Sequence, residues 1–170
     1  MLCKSKYKLS DEKAAELVKS IDIYHPYGVV GTLPWMNPKG AMEFGAVPDA
    51  RKLVDLASKI TTFSERQDSV HDSMHYKMGF ASKLVFLGFA FHELNMELIT
   101  PPKKFPEPSN TPVRCFATTF EVDPNEAKIS VGQLHRLYIV DGQRWRKIEV
   151  KMLPVKCGEF FKQRPRILAY

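Results

Sequence analysis

Tyr138 and Trp145, with Arg136, Lys147 and Lys151 close by in the chain, are residue types that can hold a single-stranded nucleic acid. Bases stack on the rings while the cations track the phosphates. The dipeptide Asp141-Gly142 ties them together. Asp-Gly between two alternating runs signals a hairpin, because both central positions of a type I′ turn need positive φ. A two-residue loop there sets Val140 opposite Gln143, Tyr138 opposite Trp145, Arg136 opposite Lys147 and Leu134 opposite Glu149, with Lys151 beyond. The two rings and three cations then share one face. The alternate face, with Leu137, Ile148, Val150 and Met152, turns apolar away from the bend and is expected to enter the core. Arg164 and Arg166 extend the positive surface into the C-terminal tail. Stacking is worth roughly 1–3 kcal/mol per base, whereas the same aromatic pair as a purely structural device contributes about 0.2–1 kcal/mol to a hairpin.

A second constellation is Asp68, His71, Asp72 and His75. Steps of three and four place all four on one side of a helix, where two histidines at i, i+4 can reach one divalent cation. The string His71-Asp72-Ser73-Met74-His75 resembles the His-Glu-x-x-His helix of zinc hydrolases, with aspartate where that motif has glutamate. The resemblance implies a metal-dependent hydrolase or nuclease. The shorter acid reaches a metal-bound water less well. A third ligand would have to come from His25 or Glu43 in the segment between Tyr24 and Pro48. As a structural feature alone, Asp68 and Asp72 form a like-charge i, i+4 pair that needs solvent or a cation.

Other chemistries lack their signatures. There is no Gly-x-Gly-x-x-Gly, no Walker loop, no Gly-x-Ser-x-Gly elbow, no ribonucleoprotein motif, no GXXG loop and no zinc knuckle. Cys3, Cys115 and Cys157 are odd in number and widely spaced, as expected of reduced thiols in a cytoplasmic protein. The lysine-bearing start has no apolar run behind it, and the most apolar stretch, Leu84 to Phe91, is far shorter than the roughly 20 residues that cross a bilayer. Neither export nor a membrane partner is expected.

Charge is distributed unevenly. The formal net charge is +6, yet from Lys128 to Tyr170 ten Lys/Arg face only three acids, Asp141, Glu149 and Glu159. The remaining 127 residues are close to neutral. A basic C-terminal quarter suits nucleic acid or an acidic protein surface; it also suits a sheet edge blunted against aggregation.

These residues need elements to position them. At 170 residues, 44% hydrophobic and 26% charged, the chain fits a single globular domain, with roughly 70% of its unfolded surface buried. Ser10 can cap a first helix, and Pro48-Asp49 can open a second running to about Thr61. Ser64 can cap one long central helix reaching about Ile99, because Phe80, Leu84, Leu87, Phe91, Leu94 and Leu98 recur at helical spacing. Prolines between residues 101 and 112 make a stiff connector. Beyond it the period becomes two: Val113 to Val122, a short strand near Lys128 to Val131, Leu134 to Val140, Gln143 to Met152, and an edge strand at the end. The expected class is α+β, with a mainly helical part over 1–100, the connector, and a basic antiparallel sheet of four or five strands over 113–170. The expected function is a non-enzymatic binding protein that offers its basic, aromatic β-face to an anionic partner, nucleic acid first. A protein-interaction module and the metal-dependent hydrolase are the alternatives.

Overall fold

The computed structural model describes residues 7–27, 45–60, 68–101 and 109–167. The chain divides into two compact units, Met1–Val70 and His71–Tyr170.

In the first unit, Ser10 caps α1 (Asp11–Lys19) by accepting the Lys13 amide, with Asp11 and Glu12 at the positive helix end. Asp49 caps α2 (Ala50–Ala57) through the Lys52 amide at 2.8 Å. Leu56 is buried, while Leu53 and Val54 are exposed. The segment from 28 to 44, where Glu43 was a candidate ligand, lies outside the described residues.

The second unit follows a different plan from the one its periodicity suggests. Its elements are α3 (Asp68–Phe80, from its fourth residue on), β1 (Lys83–Phe86), α4 (Glu93–Ile99), β2 (Ser109–Thr118), α5 (Pro124–Arg136), the two-residue strands β3 (Ile139–Val140) and β4 (Gln143–Arg144), β5 (Arg146–Leu153) and α6 (Cys157–Gln163). β1, β2 and β5 form one parallel sheet with β2 in the centre, and β3 and β4 form a separate antiparallel pair.

The single long central helix and the four- or five-stranded antiparallel sheet are therefore both corrected. Leu84-Val85-Phe86 is a short apolar run, which periodicity alone cannot assign to helix or strand. Gly88 at φ +59° then turns the chain out of any helical path. Around Asp123-Pro124-Asn125 the residues open a helix. Asp123 Oδ1 accepts the amides of Asn125 and Glu126, and Pro124 sits in the first turn where its missing N–H costs nothing. What alternation suggested as strands at Lys128 to Val131 and Leu134 to Val140 is thus mainly α5, with Ile139 and Val140 extended in β3. Of the edge strand expected at the end of the chain from Phe160-Phe161 and Ile167 to Tyr170, Phe160 and Phe161 lie in α6, and residues 168–170 lie outside the described residues.

Parallel strands need crossover connections, and α4 and α5 supply them. Strand alternation sends Leu84, Phe86, Val113, Cys115, Ile148, Val150 and Met152 to one face of the sheet, where they pack with Met96 and Ile99 of α4 and with Leu134, Leu137 and Tyr138. The opposite face is covered by α6. Fully buried Phe160 packs there with Ile167, Leu153, Val85 and Phe116. Pro112 lies inside the central strand, where the β2–β5 register shifts between Ser109 and Val113, so its missing N–H falls at an irregularity in the ladder.

Candidate functional site

All three parallel strands end on the same side of the sheet, and their carboxyl ends enclose a cavity of about 430 Å³. β1 runs out through Leu87 into Gly88, β2 ends at Thr118, and β5 leads through Val155 into Lys156 and Cys157. The Gly88 amide donates to Thr118 Oγ1 at 3.0 Å, and the Cys157 sulfur lies 3.8 Å from the same hydroxyl. A Cβ on Gly88 would sit 3.7 Å from that sulfur, an ordinary contact, so the positive φ sets the demand for glycine there.

The walls are aromatic and carry one cation. Phe89 packs in a cluster with Phe86 and Phe91 at centroid separations of 5.2–5.6 Å, leaving its remaining surface toward the cavity. Phe120 is 43% exposed, and the Lys156 ammonium sits 4.6 Å from its ring centroid. Such a site can clasp a planar ring between apolar walls and hold an anionic group at the ammonium.

The sequence-predicted residues scatter. The Asp141-Gly142 turn forms with φ +50° and +76°, and Val140 pairs with Gln143 and Ile139 with Arg144. The Trp145 amide also donates to the Tyr138 carbonyl at 3.1 Å, and the two rings meet edge to face at 5.1 Å. The outward platform does not form, however. Tyr138 is fully buried with its hydroxyl donating to the Met78 carbonyl, and Trp145 packs against the core. Leu137 ends α5, so Arg136 lies in a helical turn and the ladder expected to set it opposite Lys147 is absent. Lys147 and Lys151 are exposed on β5, on the face that α6 partly covers, and Arg164 and Arg166 follow at the end of α6. These four cations share one side of the sheet; Arg136, Tyr138 and Trp145 do not join them.

His71 and His75 do share a helix side, with stacked rings 6.4 Å apart. His75 Nε2 donates to the Leu98 carbonyl at 2.8 Å, and both nitrogens of buried His71 lack hydrogen-bond partners among the described residues. Asp72 is exposed, and the Asp68 side chain lies outside the described residues. Among the described residues no group of three His, Cys, Asp or Glu converges as a metal site. Cys115 is buried in the central strand, and burial pushes its thiol up to about 12, which leaves it a packing residue rather than a nucleophile.

Gly88, Thr118, Phe120 and Lys156 escaped attention because a helix drawn through Gly88 hides the strand end before it. The available signal was a short apolar run followed at once by glycine. Among the described residues no helix is long and apolar enough to cross a membrane. No protein-family model, curated protein or solved structure matches this chain, so its own geometry carries the functional reading.

Proposed function

We propose that the second unit is a binding module for a small ligand that joins a planar ring to an anionic group, of which nucleotides are the class that fits. One observation carries the reading: the cavity opens at the carboxyl ends of β1, β2 and β5 together. The strand order β1-β2-β5 follows the chain without a reversal, so the cavity is not a switch-point crevice; it is walled by the segments that leave β1 and β2 and by the start of α6. Phe89 and Phe120 offer faces for a base, and Lys156 offers charge for a phosphate. The Thr118–Gly88 bond fixes the floor. The expected preference for an anionic, base-bearing partner is kept, on a different surface from the C-terminal hairpin.

The test is calorimetric titration with AMP, ADP, UMP, adenosine and inorganic phosphate. Nucleotides are expected to bind, adenosine more weakly by about tenfold, and phosphate alone not measurably. Lys156→Gln should remove the difference between AMP and adenosine, and Phe120→Ala should weaken both. If every nucleotide fails to bind at millimolar concentration, or if Lys156→Gln and Phe120→Ala both leave affinity unchanged, the assignment is wrong.

A further inference from the structure

We infer that α3 carries a soft-metal site, in which His71 and His75 hold one Cu(I) ion with thioether support from Met74 and Met78. The sequence builds the stripe. At 3.6 residues per turn, His71, Met74, His75 and Met78 fall within about 100° of arc on one side of the helix. Exposed Asp72, Ser73, Tyr76 and Lys77 take the other side. Met74 and Met78 pack against the core cluster that holds Met96 and Ile99 of α4. His75 faces the same helix, since its Nε2 meets the Leu98 carbonyl at 2.8 Å. The two imidazoles stack with centroids 6.4 Å apart and planes 26° from parallel, close enough for a small side-chain adjustment to bring one nitrogen of each onto a single ion.

Methionines at this spacing serve a core by packing alone. The imidazoles are what packing leaves unexplained. His71 keeps only 7% of its surface exposed, and among the described residues neither of its ring nitrogens has a hydrogen-bond partner. His75 Nδ1, one turn on, is buried and unpartnered in the same way. The Leu98 carbonyl can only accept, so His75 carries its proton on Nε2 and its lone pair on Nδ1. A backbone carbonyl that fixes the tautomer in this manner is the usual outer partner of a metal-bound histidine. Neutral His71 offers one lone pair in either tautomer. Two buried lone pairs on neighbouring turns therefore face no donor among the described residues, an arrangement that costs free energy until something binds them.

The donor set selects the ion. Imidazole and thioether are soft and uncharged, which suits Cu(I) and not the carboxylate-seeking Mg²⁺, Ca²⁺ or Mn²⁺. Asp72, the acid of the His-Asp-x-x-His string, is exposed and lies off the stripe, so the zinc-hydrolase arrangement is not rebuilt. Charge decides in the same direction. Desolvation scales with the square of the charge, so a divalent ion among neutral ligands would cost roughly four times what a monovalent one does.

The test uses the full chain in a Cys3→Ser, Cys157→Ser background, which removes the thiols that would compete for a soft ion and leaves only buried Cys115. Ag(I), a redox-inert ion of the same electron count, is titrated while methionine methyl resonances are followed by NMR. Cu(I) is supplied anaerobically in competition with the chelator bicinchoninate. One ion per chain is expected, with the Met74 and Met78 methyls shifting first and the melting temperature rising on Cu(I) addition. Zn²⁺ at the same concentration should produce no rise. His71→Leu should weaken Cu(I) retention by about a hundredfold, and Met74→Leu with Met78→Leu, which conserves volume, by about tenfold. Asp72→Asn should leave it unchanged. Should His71→Leu fail to fold, the double methionine variant reads the same competition. Retention indifferent to these substitutions, shifts confined to other methionines, or Zn²⁺ bound as tightly as Cu(I) overturns the inference. So does the absence of any retention, which would make ordered water the partner of these nitrogens. Nucleotide affinity at the strand-end cavity is expected to survive His71→Leu, so the two readings stand or fall separately.

Discussion

Thr118 Oγ1 accepts the Gly88 amide at 3.0 Å, linking the end of the central strand to the first residue that bends away from its neighbour. Two edges of the crevice are thereby held by one side-chain bond. Thr118→Val keeps the shape and removes the acceptor, so stability should fall by about 1 kcal/mol; Thr118→Ser should recover most of it. Urea midpoints of the three proteins check this.

Gly88→Ala isolates a different cost. The new methyl finds room, 3.7 Å from Cys157 Sγ, but must adopt φ +59°. A left-handed L-residue is disfavoured by roughly 1–2 kcal/mol. Thermal melts should show that loss, while Gly132→Ala, inside α5 with open space around it, should be neutral or stabilising by up to about 1 kcal/mol.

Arg146 is buried at the start of β5, where Nε donates to the Thr111 carbonyl at 3.0 Å and Nη1 to the Gly79 carbonyl at 2.6 Å. A single guanidinium thus ties β2 and the end of α3 to β5. Lysine cannot serve two carbonyls with a planar fork. Arg146→Lys should therefore cost about 2 kcal/mol, and Arg146→Ala about 3 kcal/mol or more. Denaturant titration at neutral pH measures both.

The turn at Asp141-Gly142 and its local register were legible because Asp-Gly names its backbone geometry chemically. The caps at Ser10 and Asp49 were legible for the same reason. The parallel sheet was not. β2 and β5 alternate buried with exposed residues, a pattern that does not tell a parallel ladder from an antiparallel one, and β1 is too short to show a period, so Leu84 to Phe86 extended a helical stripe by coincidence of spacing. Asp123-Pro124 carries both turn and helix-start chemistry, and only the choice of turn sent Lys128 to Tyr138 into strands. With α5 a helix, the face on which Tyr138 points is set by its packing against Met78 rather than by hairpin parity. Of the expected basic surface, Lys147, Lys151, Arg164 and Arg166 share a sheet face because β5 is extended and α6 ends beside it.

His71 and His75 should respond oppositely to an apolar substitution. His71 is buried with both nitrogens unpartnered among the described residues, so His71→Leu removes polar atoms that gain nothing, and stability should stay within about 0.5 kcal/mol or rise. His75→Leu orphans the Leu98 carbonyl and should cost about 1–2 kcal/mol. Melting temperatures of the pair, read with and without added Zn²⁺, also report on metal. A zinc-dependent rise in wild type that His71→Leu abolishes would show these rings holding a cation through partners other than the described residues.

Alkaline pH gives a two-step test of the core. Burial pushes the Cys115 thiol from 9.0 up to about 12, and burial likewise pushes the Tyr138 hydroxyl from 10.0 up to about 12 against the opposing pull of Arg146. In both cases the folded state keeps a proton that the unfolded state releases. Their contribution is complete below pH 9, begins to fall as the unfolded thiol ionises, steepens above pH 10 as the unfolded phenol joins it, and is gone once pH passes the folded values near 12. Each group contributes a slope of up to about 1.4 kcal/mol per pH unit. Urea midpoints measured from pH 8 to 11 should therefore decline progressively. Cys115→Ala should delay the onset to about pH 10, whereas Tyr138→Phe should leave the onset near pH 9 and soften the later decline. In a Cys3→Ser background the thiol reagent DTNB should modify exposed Cys157 promptly and reach Cys115 only on unfolding. A midpoint flat to pH 11, or prompt modification of both thiols, would mean that the central strand is open to water.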